Sequence, residues 1–179
     1  GPSMLLGPVL DSFRAASILK NLHSLHIRMR QHGANALVLA QRLARRGLPV
    51  HYPGLESHPQ HALMNRLMNP GFGYGGMLAV DVGDHERACR LMIRMQEEKV
   101  GYLAVSLGYF KTLFSAPGHS TSSEIPAEEQ RSMGLSEGLI RFSIGLDNDM
   151  EQMCERIERC LDELEANPAR PSGAAAATR

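Results

Sequence analysis

VGYLAVSLGYFKTLFSAPGHSTSSEIPAEEQRSMGLSEGLIRFSIG, residues 100–145, opens and closes on short apolar runs. Residues 101–105 and 139–144 read as strands, and the segment between them is polar and rich in Ser, Thr, Gly and Pro. Ser106 follows the first strand. Arg141 stands inside the second, alternating with Leu139, Ile140, Phe142 and Ile144. A guanidinium set into a strand built for burial requires an anion, because desolvating an unpaired charge is very costly. Its planar fork suits a carboxylate or phosphate held by two parallel hydrogen bonds. The pattern alone leaves two partners open: an internal acid (Glu124, Glu128 or Glu137) or a bound ligand.

Working outward, the chain has 179 residues, the size of one domain that buries about 70% of its unfolded surface. Hydrophobic residues at 43% and charged residues at 21% are ordinary for a globular protein. The formal net charge is zero, which gives no electrostatic reason to expect nucleic acid or a membrane surface as partner. Basic residues are mostly arginine, the lysines being Lys20, Lys99 and Lys111. Cys89, Cys154 and Cys160 lack any CxxC spacing, so reduced thiols and a cytoplasmic location are expected. No apolar run has membrane-spanning length and no signal pattern opens the chain. Residues 1–6 read as an expression scar or linker.

A helix is expected from near Pro8 to about His23, with Leu10, Phe13, Leu19 and Leu22 at helical spacing. A second covers residues 27–46 and ends at Gly47. Residues 49–52 form a short strand, and a helix opens near Pro59. The glycine-rich GFGYGG run leads into a strand over residues 77–82, where a bulge is the preferred reading over a ligand loop, since no phosphate-binding spacing follows. Asp84 caps a helix over residues 85–98 that turns Ala88, Leu91, Met92 and Met95 inward. Asp149 or Asn148 caps the last helix, whose stripe is Met150, Met153, Cys154, Ile157, Leu161 and Leu164. From Ala166 the composition predicts a disordered tail. This order implies an α+β fold: a small mixed or antiparallel sheet with helices covering one face.

Other constellations are weaker. His23 with His26, and His58 with His61, have a helical spacing but lack a third ligand. Ser106 and His119 lack a nucleophile elbow. Glu128 and Glu129 sit in a helical first turn, where acids favour the dipole.

Five motifs, in order, carry a resemblance: LHIRMRQHGANALVLAQRL, HYPGLESHPQHAL, GYGGMLAVD, AVSLG and GLIRFSIG. From about Gly7 to Leu164, residues 7–165 as a domain, the chain resembles the carboxyl-terminal domain of the Cys/Met metabolism family of pyridoxal-phosphate (PLP) enzymes, whose fold is of the aspartate-aminotransferase type. The GYGG run, Tyr109 after Ser-Leu-Gly, and STSSE are most similar to its plant-type methionine γ-lyase branch. The resemblance implies that Arg141 grips the α-carboxylate of an amino-acid substrate, that Ser106 helps to orient it, and that Thr121 lies near the same pocket. It shifts the balance for Arg141 toward the ligand.

It further implies L-methionine or a related thioether amino acid as substrate, with methanethiol, 2-oxobutyrate and ammonia as products. A homotetramer and an N-terminal cofactor-binding domain are also implied. The cofactor would be PLP, bound by an upstream lysine, since Lys20, Lys99 and Lys111 match no cofactor-lysine motif. On this view the present chain is silent alone. Relatives often have LRGLKTL where this chain has LKNLHSL, so Lys20, Asn21 and His23 depart from the pattern. The alternatives are a cystathionine γ- or β-lyase or γ-synthase of the same family, and a non-catalytic binding or assembly module.

Overall fold

A computed structural model describes residues 10–167 apart from 121 and 123. Residues 1–6 and the expected tail beyond Asn167 lie outside them. The first helix, α1 (Ser12–Leu22), begins at Asp11, whose carboxylate accepts from the Arg14 N–H, one of the donors a helix start leaves unpaired. The second, α2 (Leu25–Arg45), ends before Gly47, which takes the left-handed φ of 82° that glycine alone adopts freely. Then follow β1 (Val50–His51), α3 (His61–Leu67), β2 (Met77–Asp81), α4 (His85–Glu97), β3 (Tyr102–Leu103), β4 (Leu113–Ser115), a 3-10 turn (Pro117–His119), α5 (Ala127–Ser132), β5 (Leu139–Ser143) and α6 (Met150–Ala166). Asp84 and Asp149 cap α4 and α6 through their side chains, as their positions predict.

The five strands form one mixed sheet in the order β1-β2-β5-β4-β3. All neighbours are antiparallel except β3 and β4. The expectation of an α+β fold with helices on one face is met. One element is corrected: the segment between the two outer strand runs is not wholly loop, because Leu113, Phe114 and Ser115 form a strand buried at every position. Three residues covered on both faces show no alternation, so a period-2 search passes over them.

Register separates the two faces. Val80, Ile140, Phe142 and Phe114 face the helices and join Leu78, Ile144 and the inner stripes of α2, α4 and α6 in one core. The Phe114 and Phe142 rings, opposite one another, lie 6.0 Å apart. The predicted stripe of α4 is buried at all four positions; in that of α6 Met150 is only half-buried and Cys160 is buried in addition. By contrast α1 buries nothing among the described residues, and Phe13 is 88% exposed.

Polar contacts lock the layers. Arg42 Nε and Nη2 donate to the two Glu158 oxygens at 2.8 and 2.9 Å, joining α2 to α6. The glycine-rich run forms turns ahead of β2 in place of the expected bulge, and it is tied down from outside: Tyr52 Oη donates to Gly75 O at 2.9 Å and Gly33 O at 3.3 Å, and a Cβ at Gly33 would meet Phe72 O at 3.2 Å. Burial pushes the Tyr52 hydroxyl pKa above its ordinary value. Among the described residues no helix is long and apolar enough to cross a membrane.

Candidate functional site

The sheet face turned away from the helices carries the polar residues. Because directly opposed residues of an antiparallel pair share a face, register draws two rows across it. One runs His51, Ala79, Arg141, Ser115, and the other Met77, Ser143, Leu113. Arg141, at the middle of β5, is half-buried. Among the described residues no ion pair or hydrogen bond engages its guanidinium. The internal acids that competed for it, Glu124, Glu128 and Glu137, are exposed and form no ion pair with it.

Ser106 lies in the loop that leaves β3 and is exposed. Two residues later the Gly108 N–H donates to Ser143 Oγ at 2.9 Å. Ser143 stands two positions along β5 from Arg141, so this bond hooks the Ser-Leu-Gly loop onto the strand and face that carry the arginine. The sequence offered one signal for Ser143, a small hydroxyl in phase with Arg141 in an apolar strand. Thr121 lies outside the described residues. The loop around it is held from α5, where the Gln130 amide nitrogen donates to Ile125 O, Ser122 O and Gly118 O at 2.8, 3.0 and 3.3 Å.

The remaining candidates lie elsewhere. Lys20, Lys99 and Lys111 are exposed, and Lys111 faces Asp147 at 3.8 Å. His61 is tied by Nδ1 to Pro53 O and by Nε2 to Asn65, and its ring tilts against Tyr74 at 5.3 Å. No group of three or more His, Cys, Asp or Glu residues able to hold a metal occurs among the described residues. Glu128 and Glu129 occupy the first turn of α5.

The family profile described as "Cys/Met metabolism PLP-dependent enzyme" matches residues 3–162. Methionine γ-lyase of Arabidopsis thaliana is 41% identical over 90% of this chain, and cystathionine γ-lyase of Dictyostelium discoideum is 35% identical over 88%. The chain spans 37% and 40% of their respective lengths. The crystal structure of cystathionine γ-synthase from Xanthomonas oryzae pv. oryzae, in complex with aminoacrylate and cysteine, superimposes with a TM-score of 0.79 at 30% identity, covering 90% of this chain and 41% of that one. Profile, relatives and superposition agree on the family that the five sequence motifs resemble, and the chain belongs to the Cys/Met metabolism family of PLP-dependent enzymes.

Proposed function

We propose that residues 7–165 form the substrate-orienting small domain of a PLP-dependent carbon-sulfur lyase, with L-methionine as the first substrate to test. The observation that carries the reading is the Arg141 guanidinium, half-buried on the sheet face turned away from the helices with no anion among the described residues. An amino-acid carboxylate supplies the planar, bidentate partner that this group requires.

The described residues do not fit the cofactor itself. A lysine amine is needed to bond its aldehyde, and none of the three lysines stands in the two strand rows that include Arg141 and Ser143. On this reading PLP is held by sequence outside this chain. What the chain contributes is orientation. With its carboxylate gripped by Arg141 and steadied by Ser106, the substrate's Cα bonds point in a fixed direction, and that alignment is worth a large share of a catalytic barrier.

The test is methanethiol release from L-methionine by the full-length protein, with cystathionine turnover measured beside it. The 41% identity to a methionine γ-lyase supports methionine, and the 35% identity to a cystathionine γ-lyase makes cystathionine the control. Replacing Arg141→Ala removes a charge-assisted bidentate contact, and a loss of about 3 kcal/mol in kcat/KM is expected. Retention of activity within about threefold of wild type removes Arg141 from the role.

A further inference from the structure

Among the described residues, the buried hydroxyls of Thr112, just before β4, and Ser143, on β5, are bonded, and that of Ser115 on β4 is not. Thr112 Oγ1 accepts from the Gly145 N–H at 2.9 Å, and Ser143 Oγ accepts from the Gly108 N–H at the same distance. Ser115 is only 1% exposed, yet its Oγ has no hydrogen-bond partner among the described residues. Ser136 Oγ is also unpartnered, but its residue is half-exposed. A hydroxyl shut away from water without a partner lowers stability, so native proteins rarely keep one without a use.

The use is suggested by register. Ser115 stands directly opposite Arg141 in the β4–β5 pair, so the two side chains leave the same face with Cβ atoms about 5 Å apart. On its other flank Arg141 opposes Ala79, which offers no polar atom. An acceptor without a donor thus adjoins a five-donor guanidinium without an acceptor.

We propose that Ser115 is the positioning residue of Arg141: its hydroxyl oxygen accepts a hydrogen bond from the Arg141 Nε–H. Oγ projects one bond beyond Cβ, and Nε is the guanidinium donor nearest the backbone. With Nε occupied, the two terminal nitrogens remain as an end-on fork, and the anion they take is a carboxylate on the reading proposed above. Only the identity of the anion rests on that reading.

The experiment uses the 179-residue chain with 15N-labelled arginine. Arg141→Lys assigns the Arg141 Nε–H signal, and its exchange with water is followed without and with acetate as the anion probe. A hydrogen bond from a charged donor slows exchange, so wild type is expected to exchange about tenfold more slowly than Ser115→Ala in at least one condition. Ser115→Thr should restore protection, because it keeps the hydroxyl. Ser115→Ala should melt close to wild type, since the bond it removes is offset by the desolvated hydroxyl it deletes; this separates positioning from folding. Equal exchange in wild type and Ser115→Ala, with and without acetate, overturns the proposal. If acetate moves no Arg141 signal, the carboxylate reading fails, while the contrast between the two proteins still decides the role of Ser115.

Discussion

His32 Nδ1 stands 2.6 Å from the backbone carbonyl oxygen of Ile144, joining the buried side of α2 to the residue that follows β5. A carbonyl can only accept, so Nδ1 carries the hydrogen. One turn further along α2, Asn35 Nδ2 donates to Gly145 O at 3.0 Å and Asp147 O at 2.8 Å. These bonds satisfy carbonyls of the chain leaving β5 and hold the strand that presents Arg141 against the helical layer.

Replacing His32→Ala should remove that donor, strand a buried carbonyl and leave a void where a residue only 4% exposed had been. The combined effect is expected to be a loss of about 2–3 kcal/mol in urea unfolding. A loss below about 0.5 kcal/mol would show that water or a neighbour takes over the carbonyl.

Gly145 adjoins the same contact and is required for space rather than for an unusual backbone angle. A Cβ there would lie 2.6 Å from Phe110 O, Lys111 C and Thr112 N, all backbone atoms that cannot yield cheaply. At Gly47 a Cβ would meet nothing within 4 Å, although φ is +82°. Gly145→Ala is therefore expected to lower stability by about 3 kcal/mol and Gly47→Ala by about 1 kcal/mol, the latter the cost of left-handed backbone. Equal losses in thermal unfolding would contradict the steric account.

Long amphipathic elements were readable from the sequence because each repeats its signal several times. In α4, Ala88, Leu91, Met92 and Met95 mark one face after an aspartate cap, and all four are buried. Arg141 was readable because a charge in an apolar strand contradicts its surroundings, and it proves to be without an acid among the described residues. The strand β4 was missed because three residues buried on both faces carry no period. Ser115 and Ser143 gave little signal, since a small hydroxyl is compatible with loop, strand or cap. Their meaning appears only when register sets Ser115 opposite Arg141 and hydrogen bonding attaches Gly108 to Ser143. The apolar stripe of α1 was visible, but helical spacing says nothing of what covers it, and the helix buries no residue among those described.

The three cysteines should divide sharply in reactivity. Cys154 and Cys160 are 0% and 1% exposed, and burial pushes both thiols up to about 11. Cys89 is half-buried on α4, with Sγ 3.5 Å from His85 Nε2. A disulfide reagent at about pH 8 is expected to titrate Cys89 in the native chain, the other two reacting about a hundredfold more slowly until denaturant is added. Rapid reaction of more than one thiol per native chain would show that α6 opens without global unfolding.

The α2–α6 ion pair predicts an acid-side dependence of stability. Hydrogen bonds from Arg42 hold the Glu158 carboxyl below the ordinary glutamate range, against the opposing effect of burial. A carboxyl with a depressed folded-state pKa binds its proton less readily folded than unfolded. Its stabilisation is therefore fully present above the unfolded value of about 4.3 and disappears as pH falls through the folded one. Glu158→Gln should be less stable than wild type by about 1 kcal/mol near neutrality, a modest figure because the pair is partly open to solvent. The two denaturation curves, measured in steps from about pH 7 down to pH 3, should then converge, because the acid that distinguishes them has become protonated in both states. A gap of constant size across that range would mean that the substitution acts through packing on α6 and that the charge of Glu158 is immaterial to the fold.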